Sequence, residues 1–287
     1  GIGTDEIYAF NTGTSHVLNS VATTAADTDR PAPVVATATR NATPLEPVPA
    51  SVTIISREDI AQAQANDAAE LLRGVTGIDI GRNGGPGQVT SVFTRGTESD
   101  HTLIMIDGVA INPGTLGNAA LQNIDPRLID HIEIVRGPLS SLYGSAAIGG
   151  TINIITRRDG SDGSSSHFAT QAGSYNSLSL NAGSRMTQGP LNVSLDLSHQ
   201  TSDGFNARAG DGFDSAFNND SLNASLGYRM DAHTLRLQAF AANGNTGYSS
   251  FGSPVDQDFE NSVISASLTS PINSHWESRL TLSRMTD

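Results

Sequence analysis

The chain has no cysteine among its 287 residues, which excludes disulfide frameworks and thiolate metal sites together. It also lacks any run of 18 apolar residues, so no segment is suited to cross a bilayer as a helix. Strands are untouched by that exclusion: a membrane barrel alternates apolar and polar residues and averages to mild hydropathy, and hydrophobic content here is 37%. Basic residues are scarce, 16 against 29 acidic ones, giving a net charge of −13. Such a surface repels nucleic acid, which is therefore not an expected partner. Catalytic signatures are missing too. The seven histidines, at 16, 101, 131, 167, 199, 233 and 275, form no HExxH, and there is no GxSxG or GxxxxGK[ST]. No enzyme class and no catalytic cofactor follow from the residues.

Glycine is abundant, at 29 residues, and the most distinctive stretch is built around it. Residues 132–158 read IEIVRGPLSSLYGSAAIGGTINIITRR: a β-prone run, a turn at Arg136-Gly137-Pro138, a small-residue segment and a second β-branched run from Thr151. Pattern alone reads as a hairpin, with Gly149 and Gly150 free to take positive φ or to let another backbone approach. Arg95 and Arg136, both in Arg-Gly turns, are candidates for structural ion pairs in an interface.

Upstream, residues 1–31 are rich in Thr, Ala and Asp with weak periodicity and read as a flexible leader. Prolines 31, 33, 44, 47 and 49 make residues 32–49 a proline-punctuated arm. Inside it Val34-Val35-Ala36-Thr37-Ala38-Thr39-Arg40 is a β-prone run of the kind that adds a strand to a partner's sheet edge, although a plain linker reads similarly. Residues 50–158 look like a compact α+β domain. A strand at 52–55 precedes Ser56, a helix N-cap followed by acidic Glu58 and Asp59. Asn66 or Asp67 caps a helix over 68–73, and residues 75–80 return to strand. A glycine-rich loop over 81–88 and a polar loop over 112–118 flank a buried strand that ends at the Asp107-Gly108 turn.

Beyond Arg158 the texture changes to two-residue alternation. Leu191, Val193, Leu195 and Leu197 are interleaved with polar residues, as are Leu222, Ala224, Leu226 and Tyr228, then Leu235, Leu237, Ala239 and Ala241, and finally Trp276, Leu280 and Leu282. About seven segments of about ten residues fit antiparallel membrane-spanning strands. A soluble β-sandwich alternates likewise, but here short turns (188–190, 231–232) alternate with long ones (201–220, 243–260), the rhythm of an outer-membrane barrel.

The motif VRGP…LYGS.AIGG.INIIT at 135–156 resembles the end of the plug domain of TonB-dependent outer-membrane receptors. VTIISREDI (52–60), ELLRGVTGIDI (70–80) and RGTESDHTLIMIDGVAIN (95–112) precede it in the family's order. The resemblance runs from about residue 33 to the end, and within the family it is strongest to the cobalamin (vitamin B12) transporter branch, on Asn83-Gly84-Gly85-Pro86-Gly87-Gln88 and the 106–109 region. It implies a plug at 50–158, the N-terminal part of a barrel at 159–287, and an outer-membrane monomer in contact with lipid and lipopolysaccharide. Residues 34–40 resemble the TonB box, with Pro33, Val34, Val35, Ala36, Thr37 and Ala38 as the segment that engages TonB. Asn83, Gln88, Val89 and Thr90 in the first loop, Leu116 and Gly117 in the second and Glu98 nearby become substrate contacts. The branch also places calcium in the loop after the third barrel strand. Here Asp203, Asp211, Asp214 and Asp220 crowd enough charge to call for a hard cation, although an acidic loop facing lipopolysaccharide explains them as well.

The expected activity is TonB-dependent uptake of cobalamin or a related corrinoid. A ferric-siderophore receptor is the alternative within the family, and an adhesin or signalling module the alternative outside it. About seven strands against the roughly 22 of a plugged barrel mark the chain as part of a longer receptor.

Overall fold

The structure, a computed structural model, describes residues 20–21, 34–35, 37, 43–44 and 51–287 except 114–116, 138, 159–161, 207–211, 251 and 274–275. Ser20–Val21 (β1), Val34–Val35 (β2) and Thr43–Pro44 (β3) are two-residue strands, and the remainder of the predicted leader lies outside the described residues. The α+β unit comprises Ser51–Ile55 (β4), the helices Arg57–Ala63 (α1) and Ala68–Leu72 (α2), and the strands Ile78–Arg82 (β5), Thr90–Thr94 (β6), Thr102–Ile106 (β7) and Val109–Ala110 (β8). Ile129–Arg136 (β9), the single-turn helix Ser140–Tyr143 (α3) and Gly150–Thr156 (β10) complete it. Seven long strands follow: Gly163–Ala172 (β11), Leu178–Gln188 (β12), Leu191–Ser202 (β13), Phe217–Met230 (β14), His233–Ser250 (β15), Ser253–Pro271 (β16) and Glu277–Thr286 (β17).

The first unit is built on a five-stranded mixed sheet in the order β4-β9-β10-β7-β8. All seven residues of β10 are buried, because it is flanked on both edges, antiparallel to β9 and parallel to β7. The hairpin-like pairing of β9 with β10 holds; the parallel partner was not expected. Ile132, Ile134, Ile152 and Ile154 are fully buried with Leu72, Leu121 and Leu128, and this aliphatic packing is the unit's main stabilising term. Its two glycines behave as the sequence suggests. A Cβ on Gly150, at φ +149°, would sit 2.5 Å from the Val135 carbonyl, and one on Gly149 would meet Thr97 Oγ1 at 2.6 Å.

Helix starts are equally local. Ser56 and Asp59 form a reciprocal capping box on α1, and Asp67, not Asn66, caps α2 through the Glu70 amide. Asp67 also holds Arg82 of β5 at 2.5 Å. The strand expected at 75–80 begins only at Ile78, after a turn with Gly77 at φ +78°, and runs on to Arg82. The loop that follows is therefore 83–89.

The seven long strands form consecutive antiparallel pairs, with β1 against the outer side of β11. Their length was underestimated, since they run from 10 to 19 residues. The largest difference is at 243–260, expected as a long loop. β15 and β16 stay paired from Thr234↔Thr269 to Ser250↔Ser253, because each strand supplies the other's backbone partners despite the Gly, Asn and Asp content. Burial along the wall is inverted relative to a soluble sandwich. On β14 the buried row is Asn219, Ser221, Asn223 and Ser225, while Leu226 and Tyr228 are exposed. Leu195, Leu197, Leu237, Ile264, Leu280 and Leu282 are exposed likewise. An outward apolar face over a polar interior is the arrangement of a membrane strand.

The polar row closes on the α+β unit. Asn219 donates to the Asn123 carbonyl at 2.9 Å, Gln200 to the Asn66 carbonyl at 2.9 Å and Asn223 to the Arg157 carbonyl at 2.7 Å. The Ser198 hydroxyl donates to the buried Asp125 carboxylate, which also holds Arg127 at 2.8 Å. Buried Asp196 lies 3.7 Å from Arg185 and 4.0 Å from Arg157. These, and not Arg95 and Arg136, are the interface charges: Arg136 bonds Thr53 at 2.9 Å within its own sheet and Arg95 is exposed. Only Phe240, Ala242 and Val263 join the wall to the aliphatic core.

Two outcomes are expected. Gly150→Ala forces a side chain into the Val135 carbonyl and should destabilise the sheet by about 2 kcal/mol, read as a lower denaturant midpoint. For His131, burial alone would lower the pKa, but hydrogen bonds from Asp130 and Glu133 and their charges overcome it and raise the value to about 9. Its folded-state pKa lies above the unfolded one, so its contribution is complete below about pH 6.5 and is lost as pH rises through about 9. That contribution is about 3 kcal/mol, and the thermal midpoint should fall less between pH 6 and pH 10 in His131→Gln than in the unaltered protein.

Candidate functional site

Loop 83–89 crowns the α+β unit. Its stem closes through the Asn83 amide to the Val89 carbonyl at 3.2 Å, and the Gln88 amide turns back to Gly85 at 3.4 Å. Gly87, at φ +72°, lies flush against β14 and β15. Any side chain there would overlap the Phe217 ring and meet Thr246 Oγ1 at 2.9 Å. The Gln88 amide donates to Thr246 Oγ1 at 3.0 Å and to the Gly247 carbonyl at 2.8 Å. The loop is thereby pinned to the upper wall.

Between crown and wall lies a cavity of about 590 Å³. Asn83, Gln88, Gln122, Asn123, Asn206 and Gln257 give it six carboxamides; Phe213, Tyr248 and Phe259 supply aromatic surface, and its lining contains no charged residue. Two acceptors are unsatisfied: Gln122 Oε1 and Asn123 Oδ1 are buried with no hydrogen-bond partner among the described residues. Buried polar atoms normally find a partner, so these two suit a ligand that brings N–H or O–H donors.

The residues singled out in the sequence separate into groups. Asn83, Gln88 and Val89 line the cavity, but Gln88 is a tether as much as a contact. Thr90 is buried beneath the loop, donating to the Gln88 carbonyl at 2.9 Å and accepting from Arg82 at 3.2 Å, and lies outside the lining. Glu98 is exposed at the start of the turn Ser99–His101, and Gly117 is packed against Asp100, its carbonyl taking the Asn112 amide at 2.7 Å; neither borders the cavity. Leu116 lies outside the described residues. Gln122, Asn123, Thr246, Tyr248, Gln257 and Phe259 were missed. The last four fall in the stretch read as a loop; a signal for the first two was their place beside the Ile124-Asp125-Pro126 turn.

The acidic residues do not converge. Asp203 accepts from Asn176 at 2.6 Å, Asp220 pairs with His199 at 2.7 Å on the outward face of β14, and Asp214 is exposed. Asp211 lies outside the described residues. Among the described residues no three acidic or histidine side chains are grouped to hold a metal ion, so the described aspartates do not fit a calcium site. In the arm, Val34–Val35 pairs with Thr43–Pro44 and Thr37 is buried, whereas Pro33, Ala36 and Ala38 lie outside the described residues.

Residues 44–151 match the family described as TonB-dependent Receptor Plug Domain. The vitamin B12 transporter BtuB of Vibrio cholerae serotype O1 is 40% identical over 201 residues, covering 68% of this chain and 32% of that protein. The chain thus spans about a third of the length of the curated relatives it matches. Among solved structures, the ferripyoverdine receptor of the outer membrane of Pseudomonas aeruginosa aligns with a TM-score of 0.72 at 16% identity, over 88% of this chain and 36% of that one. The FrpB iron transporter from Neisseria meningitidis aligns with 0.69 at 18% identity, over 82% and 41%. At that identity the structures speak for the fold alone. With a matched plug sequence, a mixed plug sheet and an outward-apolar strand wall on the page, the chain belongs to the TonB-dependent receptor family.

Proposed function

We propose that this chain is the plug-bearing part of an outer-membrane transporter that takes up cobalamin or a related corrinoid, energised by TonB through the arm at residues 33–38. The carrying observation is the chemistry of the cavity. Six carboxamides, two of them with unsatisfied acceptors, and no charged lining residue complement a large neutral ligand rich in amide side chains, which a corrinoid is. The relative at 40% identity, named a vitamin B12 transporter, supports the same substrate class.

A ferric-siderophore receptor is the second reading, favoured by neighbours such as the ferripyoverdine receptor. Anionic iron complexes call for arginine or lysine in the site, and the cavity lining has neither. The exposed apolar rows of β13 to β17 support an outer-membrane location, in contact with lipid and lipopolysaccharide. No step of the proposal depends on calcium.

Titration of the detergent-solubilised protein with cyanocobalamin should give saturable heat, and its absence from a demonstrably folded sample would sink the corrinoid reading. Repeating the titration with a calcium chelator tests the acidic loop. Gln122→Leu removes an acceptor that no protein group uses, so stability should hold while affinity falls about tenfold. Gly87→Leu drives a side chain into Phe217, and should weaken binding by displacing the crown, with the wall's strand content unchanged by circular dichroism.

A further inference from the structure

The arm ends its described course in a site that the uptake reading leaves unused. Thr37, the one described residue between β2 and β3, is 1% exposed, although its neighbours in sequence are small and polar. Four hydrogen bonds converge on it from the middle of the plug sheet. Its amide donates to Glu133 Oε2 of β9 at 2.7 Å, and its hydroxyl donates to the same oxygen. Asn153 of β10, opposite Glu133 in the register, donates to the Thr37 hydroxyl oxygen at 3.0 Å, and the Tyr143 hydroxyl of α3 donates to the Thr37 carbonyl at 2.9 Å. Every polar atom of the residue is used.

The surroundings hold this geometry in place. Glu133 is 2% exposed, and its other oxygen lies 3.4 Å from His131 Nε2, whose Nδ1 is 2.8 Å from Asp130. Asn153 is fixed by accepting the Gly108 amide at 3.0 Å. A buried carboxylate is costly unless donors surround it, and Thr37 supplies two of them.

We infer that Glu133, Asn153 and Tyr143 form a socket selective for a hydroxyl-bearing residue at position 37, and that this socket docks the arm hairpin onto the plug. A side-chain hydroxyl can donate to Glu133 and accept from Asn153 at once; among small side chains only Ser and Thr do both. The chemistry recognised is thus a backbone amide and a hydroxyl on one residue, presented by the chain's own arm. Docking occupies the arm twice over, since one edge of β2 is already paired with β3. The consequence for a partner rests on the uptake reading: Val34–Val35 must leave both the socket and its own hairpin before adding to another sheet.

The test needs neither substrate nor partner. Arg30 precedes proline, so Arg40 is the first ready tryptic site in the arm, and its cleavage rate in the detergent-solubilised protein reports undocking. Thr37→Val keeps the shape and loses the hydroxyl; it should raise cleavage at Arg40 about tenfold, and Thr37→Ser should cleave like the unaltered protein. Glu133→Gln should match Thr37→Val, and the double variant should be no faster than either. Thr37→Val alters only the arm and leaves the sheet intact if Glu133→Gln does not fold. Tyr143→Phe should accelerate cleavage several-fold. Cleavage unchanged in Thr37→Val, or effects of Thr37→Val and Glu133→Gln that multiply independently, would overturn the socket. Either result is independent of whether cyanocobalamin binds.

Discussion

The structure depends on one constraint: the strand wall turns its polar residues inward, and those residues must find hydrogen-bond partners away from bulk water. A wall that is apolar outside and amide- and hydroxyl-lined inside cannot be stabilised by an oily centre. The plug supplies the partners. Asn219, Gln200 and Asn223 each reach a plug backbone carbonyl, which ties side chains of the wall to main chain that no substitution can remove. The plug keeps its own aliphatic core, around Ile132 and Ile152, so the two parts are stabilised by different forces and meet on a polar surface.

That division explains the position of the cavity. Near the middle of the wall, plug carbonyls and wall amides pair off. Towards the crown, where loop 83–89 is held by Gln88 and seated by Gly87, the pairing is incomplete, and carboxamides from both parts remain over. Gln122 and Asn123 belong to the same turn as the satisfied contact between Asn123 and Asn219. One short turn therefore serves as anchor on one side and as ligand-facing surface on the other.

Much of this was legible in the sequence wherever the cause is local. Helix caps at Ser56 and Asp67, the tight turn at Asp107-Gly108 and the alternation after residue 160 depend on residues a few positions apart, and the first-loop residues Asn83 and Val89 fall where the resemblance implied. What was not legible depends on distant partners. The parallel pairing of β10 with β7 joins residues about fifty positions apart. Residues 246–259 look like loop by composition and become strand because β15 and β16 pair along their whole length. Gln88 reads as a free polar loop residue until the wall, 158 positions later, takes its amide. The acidic loop shows the opposite failure: proximity in sequence suggested convergence, but alternation sends Asp220 outward while Asp203 turns to Asn176.

The mostly polar seam between plug and wall also has a mechanical meaning. An aliphatic interface resists separation until it opens all at once, because water cannot replace the contacts it loses. A seam of amides and carbonyls can exchange each bond for one to water as it shifts. Force applied along the barrel axis through the arm would therefore meet a series of small, separately reversible barriers. The few apolar contacts at Phe240, Ala242 and Val263 would act as the detents that return the plug to its seat.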